Sequence, residues 1–310
     1  MKGRGTRFLF LGAFLIFCFS DAISQKTPLK ELVDSGIMKA KLGDFNAAIR
    51  DFNKAIDIDS TEAEPYYNRG IVFSEMKDYQ GAIRDFSRVI QLKPIYPEPY
   101  YNRALAKDNM GDHRGAIPDY SKAISLKADF PEAYYSLGLA RFDLSAFQEA
   151  QDDFTRAIQY KPDFPDAYYN RGLCRFQLRD YPGAIQDFTR AVEMDTTQGD
   201  YYSSRGAARA AVGDYETALT DFSVTIRMDP EAFDPRMNKA LALMYLKRYQ
   251  DALGEYDRII QRFPAQAEPL VKRGVAKQYL GDQAGACIDW KTAAELGSPK
   301  ASEYQSKFCH

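Results

Sequence analysis

The sequence repeats itself every 34 residues, and that period constrains the fold more than any other feature. The string YYNRG begins at Tyr66 and again at Tyr168, with YYNRA at Tyr100 and YYSLG at Tyr134, so the starts step by 34. The pairs Asp51-Phe52, Asp85-Phe86, Asp153-Phe154, Asp187-Phe188 and Asp221-Phe222 keep the same step or its double. Counted in 34s from Leu29, the chain holds eight repeats without insertion or deletion: 29–62, 63–96, 97–130, 131–164, 165–198, 199–232, 233–266 and 267–300. Residues 25–28 form a short lead and residues 301–310 a tail. A unit this short cannot bury its apolar face alone, so copies must stack on one another.

Each repeat reads as two helices. In 63–96, Pro65 falls in the first turn of a helix A, where its missing N–H is harmless. Helix A runs to about Met76, Lys77-Asp78-Tyr79 turns the chain, and helix B runs from about Gln80 to Leu92 before Pro94. Gly111, Gly213 and Gly281 take the place of Lys77 in other repeats, and Pro162, Pro230 and Pro264 that of Pro94. The eighth residue is always Gly or Ala, the twentieth is always Ala, and the twenty-fourth is always aromatic. Small residues let the two helices approach closely, and a large ring fills the groove beside the crossing.

This pattern of small eighth, alanine twentieth, aromatic twenty-fourth and helix-ending proline thirty-second residues resembles the tetratricopeptide repeat (TPR) family over essentially the whole chain after residue 24. The resemblance implies an all-α fold: an α-solenoid, a right-handed superhelix of eight helix-turn-helix repeats whose A helices line a concave groove. Stability then comes from nearest-neighbour stacking, and a C-terminal cap helix within about Pro299–Phe308 should cover the last repeat. Ala301, Tyr304 and Phe308 form its inward face.

Three departures stand out. The seventh residue is basic in six repeats (Arg69, Arg103, Arg171, Arg205, Lys239, Arg273), as is the eleventh (Lys39, Lys107, Arg141, Arg175, Arg209, Lys277). The twenty-third is acidic in all eight, from Asp51 to Asp289. An ionic ladder between helices A and B is the expected use, and a basic stripe for a ligand is the alternative. Pro118 lies about five residues into a helix B, where its ring should distort the helix.

The first 24 residues read as a signal peptide. Lys2, Arg4 and Arg7 precede an apolar run, Phe8 to Phe19, that is short for a membrane span, and Ala22 and Ser24 suit cleavage before Gln25. An uncleaved anchor is the alternative; a lipoprotein would need a small residue where Phe17 precedes Cys18. The expected protein is exported. Cys174, Cys287 and Cys309 then enter an oxidising compartment. Cys287 sits early in the last helix B and Cys309 ends the cap; if the cap folds back antiparallel, the two form a disulfide, the alternative being two buried free thiols. Gly285-Ala286-Cys287, Asp289-Trp290 and Glu295-Leu296-Gly297 resemble the terminal repeats of exported bacterial TPR proteins, which implies a Gram-negative periplasm.

The resemblance also places the candidate partner-binding residues. The sixth position carries Asn68, Asn102, Asn170 and Asn238, a ladder of amides able to bond both backbone groups of an extended peptide. The fifth carries Tyr67, Tyr101, Tyr135 and Tyr169, and Phe142 and Phe176 add apolar lining. Packing between A helices is the competing use of these rings. The second position is acidic from Glu64 to Glu268, which argues against the basic clamp that some TPR modules close on a C-terminal carboxylate.

Other classes are excluded or disfavoured. Forty-one Lys and Arg against 43 Asp and Glu give no basic surplus for nucleic acid. His113 and His310 are too few for a multi-histidine metal centre, and no phosphate-loop, HExxH, GxSxG or dinucleotide motif occurs, so neither cofactor nor catalysis is expected. The expected function is a non-catalytic scaffold holding a peptide segment or protein partner in its groove. A structural assembly factor of the cell envelope, acting through the convex face or the ends, is the alternative.

Overall fold

A computed structural model describes residues 28–309. The expected signal peptide over residues 1–24, and His310, lie outside the described residues.

Seventeen helices and no strand occur among the described residues. The A helices are α1 (Pro28–Lys41), α3 (Ala63–Glu75), α5 (Pro97–Asn109), α7 (Pro131–Asp143), α9 (Pro165–Gln177), α11 (Gly199–Ala211), α13 (Phe233–Tyr245) and α15 (Ala267–Tyr279). The B helices are α2 (Phe45–Ile58), α4 (Tyr79–Leu92), α6 (His113–Leu126), α8 (Phe147–Tyr160), α10 (Tyr181–Met194), α12 (Tyr215–Met228), α14 (Tyr249–Arg262) and α16 (Gln283–Glu295). The cap is α17 (Pro299–Phe308), with the bounds expected from the sequence. The chain forms two compact units, one ending at Leu92 with α1–α4 and one beginning at Lys93 with α5–α17. In each, every A helix packs against the B helix that follows it.

The A-to-B turn is built the same way each time. The fifteenth residue has positive φ in all eight repeats: Gly43, Gly111, Gly213 and Gly281 at 81–85°, and Lys77, Ser145, Arg179 and Lys247 at 58–64°. This left-handed residue ends helix A by letting the next amide reach back five residues, as Asp44 N does to Lys39 O at 2.9 Å. Asp44, Asp112, Asp180 and Asp282 then cap helix B, each carboxylate accepting from the amide three residues on at 2.8–3.0 Å.

The small eighth residue meets the aromatic twenty-fourth. A Cβ on Gly206 would stand 2.8 Å from Phe222 Cε1, and on Gly172 2.7 Å from Phe188 Cε1. The rings are fully buried. Helix α6 runs unbroken through Pro118. Both Pro118 and Arg114, whose carbonyl loses its partner, are exposed, so water can take the bond. Pro182, in the first turn of α10, is accommodated as expected.

Candidate functional site

The basic stripe of the A helices belongs to an internal ladder. Arg69, Arg103, Arg171, Arg205 and Arg273 each make forked bonds of 2.6–3.0 Å to the acid sixteen residues on, respectively Asp85, Asp119, Asp187, Asp221 and Asp289. The eleventh residue adds a second cation, as Lys107 does to Asp119 at 2.7 Å and Arg209 to Asp221 at 2.7 Å. Lys39 with Asp51 and Lys239 with Glu255 complete the set. All eight acids are buried. These cations are therefore committed to fixing helix A against helix B and are not a ligand-binding stripe.

Repeat 131–164 differs from its neighbours in lacking the forked arginine. Its seventh residue is Leu137, so Asp153 relies on Arg141 alone, at 2.6 Å. Burial outweighs that single partner and pushes the Asp153 carboxyl up to about 6.

The fifth-position tyrosines are not an exposed strip. Tyr169 is buried and Tyr67, Tyr101 and Tyr135 are half-buried. Each ring packs on the aromatic of its own helix B, with centroids 5.6–5.9 Å from Phe86, Tyr120, Phe154 and Phe188. Three also touch a ring at the start of the next helix A, at 4.7–4.9 Å: Phe130 and Phe164, which close their own repeats just before α7 and α9, and Tyr201 of the next repeat. Their hydroxyls pair with the sixth residue of that repeat: Tyr101 with Ser136 at 3.5 Å, Tyr135 with Asn170 at 3.1 Å and Tyr169 with Ser204 at 3.4 Å. Burial pushes the Tyr101 and Tyr169 phenols up to about 12.

The expected open amide ladder is interrupted at Asn170 for the same reason. Asn170 is buried, and its Nδ2 donates to the Tyr135 hydroxyl and, at 2.8 Å, to Asp166 O. Asn68 donates to Glu64 O at 3.0 Å; it is half-buried, as are Asn102 and Asn238. Phe142 and Phe176 make edge-to-face pairs with Phe147 and Tyr181, each at the start of the following helix B. The fifth and sixth residues thus read across to the neighbouring A helix more than into solvent.

The open part of the inner face lies further along. A cavity of about 780 Å³ is walled by α13, α15 and the start of α17. Leu241, Met244, Val271 and Val275 give it an apolar lining, joined by Tyr245, Tyr249 and Tyr279 and by the charged Glu268, Lys272 and Lys300. Sequence reasoning missed it. Its one signal was Tyr245 and Tyr279 at the thirteenth position of the last two repeats, with Tyr249 at the seventeenth of the first of them, which the fifth-position tyrosines overshadowed.

The cap forms the end wall. Ala301 is fully buried, and Tyr304 and Phe308 lie 5.2 and 5.8 Å from the Trp290 ring. Cys287 and Cys309 are joined in a disulfide with Cα atoms 5.7 Å apart. Cys174 is free and buried, and burial pushes its thiol up to about 12.

Comparison with known proteins agrees with this architecture. Tetratricopeptide repeat family models match residues 63–96, 141–201 and 196–267, and a further TPR repeat model matches 36–77 and 109–145. No curated protein matches the chain. Among solved structures, YrrB, described as a TPR protein with an unusual peptide-binding site, is 25% identical over 60% of this chain and 95% of its own, with a TM-score of 0.56. A MamA protein is 26% identical over 55% of this chain and 92% of its own, with a TM-score of 0.52. The C-terminal part of a TPR repeat-containing protein from Cytophaga hutchinsonii is 17% identical over 76% of this chain and 98% of its own, with a TM-score of 0.66, a likeness of fold alone. Repeat period, helix pairing and family matches agree, and the chain belongs to the tetratricopeptide repeat family.

Proposed function

We propose that the protein is an exported, non-catalytic scaffold that holds a peptide segment or protein partner against the inner face of its A helices. The observation that carries this reading is the cavity of about 780 Å³ at α13, α15 and α17. It is concave and lined by apolar residues with a few polar groups, the usual make-up of a binding site. The peptide-binding site named for YrrB, a similar chain, supports the same class of ligand. Export is supported by the basic-then-apolar first 24 residues and by the Cys287–Cys309 disulfide, a bond that persists in oxidising compartments such as a Gram-negative periplasm.

Val275→Arg places a charged side chain in the cavity lining. Partners recovered from the native envelope by the unaltered protein should be lost by this variant and kept by Ile288→Asp, which alters a residue 65% exposed on α16. The reverse pattern would favour the assembly factor acting through its outer face.

A further inference from the structure

Two pairs of tyrosines beside the cavity are stacked almost parallel. Tyr215 and Tyr245 have centroids 4.7 Å apart and planes 5° apart; Tyr249 and Tyr279 have centroids 4.8 Å apart and planes 4° apart. Each pair joins the seventeenth residue of one repeat to the thirteenth of the next. Earlier in this unit the same positions hold His113 with Asp143, Phe147 with Gln177 and Tyr181 with Ala211, so paired tyrosines occur only where the cavity opens. Tyr245 and Tyr279 remain 67% and 64% exposed. Rings left this open contribute little to the core, and neighbouring open aromatic rings mark a place where a partner sits.

The two rungs recur once per repeat along the cavity. A polyproline II segment completes a turn in three residues and keeps its shape without internal hydrogen bonds, and grooves lined by aromatic rings are a recurrent way of docking one.

The chemistry of the walls agrees. Tyrosine hydroxyls and Lys272 can donate hydrogen bonds here, beside Glu268 as an acceptor, and Lys272 takes at this position the place of the Asn or Ser of repeats two to seven. A main chain of prolines has carbonyl acceptors and no N–H to satisfy, whereas an ordinary extended peptide also brings an N–H at each residue. The apolar lining suits pyrrolidine rings, and a segment already held in one conformation loses little entropy on binding.

We propose that the tyrosine rungs and the cavity beside them bind a proline-rich segment in the polyproline II conformation. The proposal rests on the inner-face reading given above and names its ligand class. Calorimetric titration of the purified chain with N-acetylated decaproline, and with a Ser-Thr decamer of equal length, tests it. Decaproline should bind saturably and at least about tenfold more tightly than the decamer. Tyr245→Ala and Tyr279→Ala should each weaken it by about tenfold or more, while Tyr279→Phe, which keeps the ring, retains most of the affinity. Far-UV dichroism of the variants should match that of the unaltered chain. Equal binding of both decamers would overturn the polyproline reading and leave the inner face as a peptide site. Binding of neither, with partner capture still lost in Val275→Arg, would overturn this proposal alone. Binding of neither, with capture unaffected in Val275→Arg, would overturn both.

Discussion

At the scale of single residues, the repeat sets an expectation for each position, and exceptions can be weighed against it. Tyr256 takes the place that is Phe in five repeats, is fully buried, and its hydroxyl has no hydrogen-bond partner among the described residues. A buried orphan hydroxyl costs about 1–3 kcal/mol. Tyr256→Phe should therefore raise stability by about 1 kcal/mol, read as a higher urea midpoint at unchanged slope; a lower midpoint would show that the hydroxyl has a use. Asp153 is a second exception. Its carboxyl titrates near 6 in the folded protein against 3.8 as the ordinary value, so the native state binds the extra proton between those limits. Its contribution to stability must then fall as pH rises from about 4 to 6 and stay low above that, by roughly 1.4 kcal/mol for each tenfold change in acidity. Asp153→Asn should flatten the stability profile over that interval and cost less at pH 7 than Asp187→Asn, which strips the forked partner from Arg171. Urea midpoints at pH 4.5 and 7 for both variants check the sign.

At the scale of the element, the helices were legible in the sequence because position within the repeat carries the geometry. The small eighth and aromatic twenty-fourth residues place the close crossing, and the fifteenth residue places the turn even where Lys77 or Arg179 replaces glycine. The cap was legible through Gly297, Ser298 and the inward set Ala301, Tyr304 and Phe308. The direction of the fifth- and sixth-position side chains was not. A ring at the fifth position turns towards the next A helix when a Ser or Asn there can take its hydroxyl, as Ser136, Asn170 and Ser204 do, and that depends on a residue 35 positions away. The cap offers an element-scale test. It is tied by a disulfide whose partners are 22 residues apart, a closure contributing about 3 kcal/mol on chain-entropy grounds. The single tryptophan, Trp290, lies beneath it and reports its docking. In Cys309→Ser, the red shift of Trp290 emission should precede loss of far-UV helix signal on urea titration, whereas the two should coincide in the oxidised chain. Coincidence in both would mean that packing alone holds α17.

At the scale of the whole molecule, stability is spread along a line of similar contacts. Each repeat fixes its own helices through a buried acid and its cations, and repeats 97–130, 131–164 and 165–198 lock to the next through a ring and a hydroxyl; within α7–α11 these links run from Tyr135 to Asn170 and from Tyr169 to Ser204. Such a chain has no central core whose loss is fatal, and its free energy is close to a sum of repeat and neighbour terms. The 34-residue period is thus a unit of deletion as well as of sequence. Removing residues 165–198 brings Tyr135 opposite Ser204, the same pairing of a fifth-position tyrosine with a sixth-position Ser or Asn, and leaves the buried acid of every remaining repeat paired with cations of its own repeat. The shortened chain should fold, keep its helicity per residue and show a lower urea midpoint and a smaller slope in proportion to its lost surface. Removing residues 165–181, half a repeat, leaves α10 without the Arg171 and Arg175 that neutralise Asp187 and without Gly172 beneath Phe188. That chain should lose helix beyond its share of residues and aggregate. If the two deletions behaved alike on dichroism and sedimentation, the repeat would not be the unit in which this protein stores its stability.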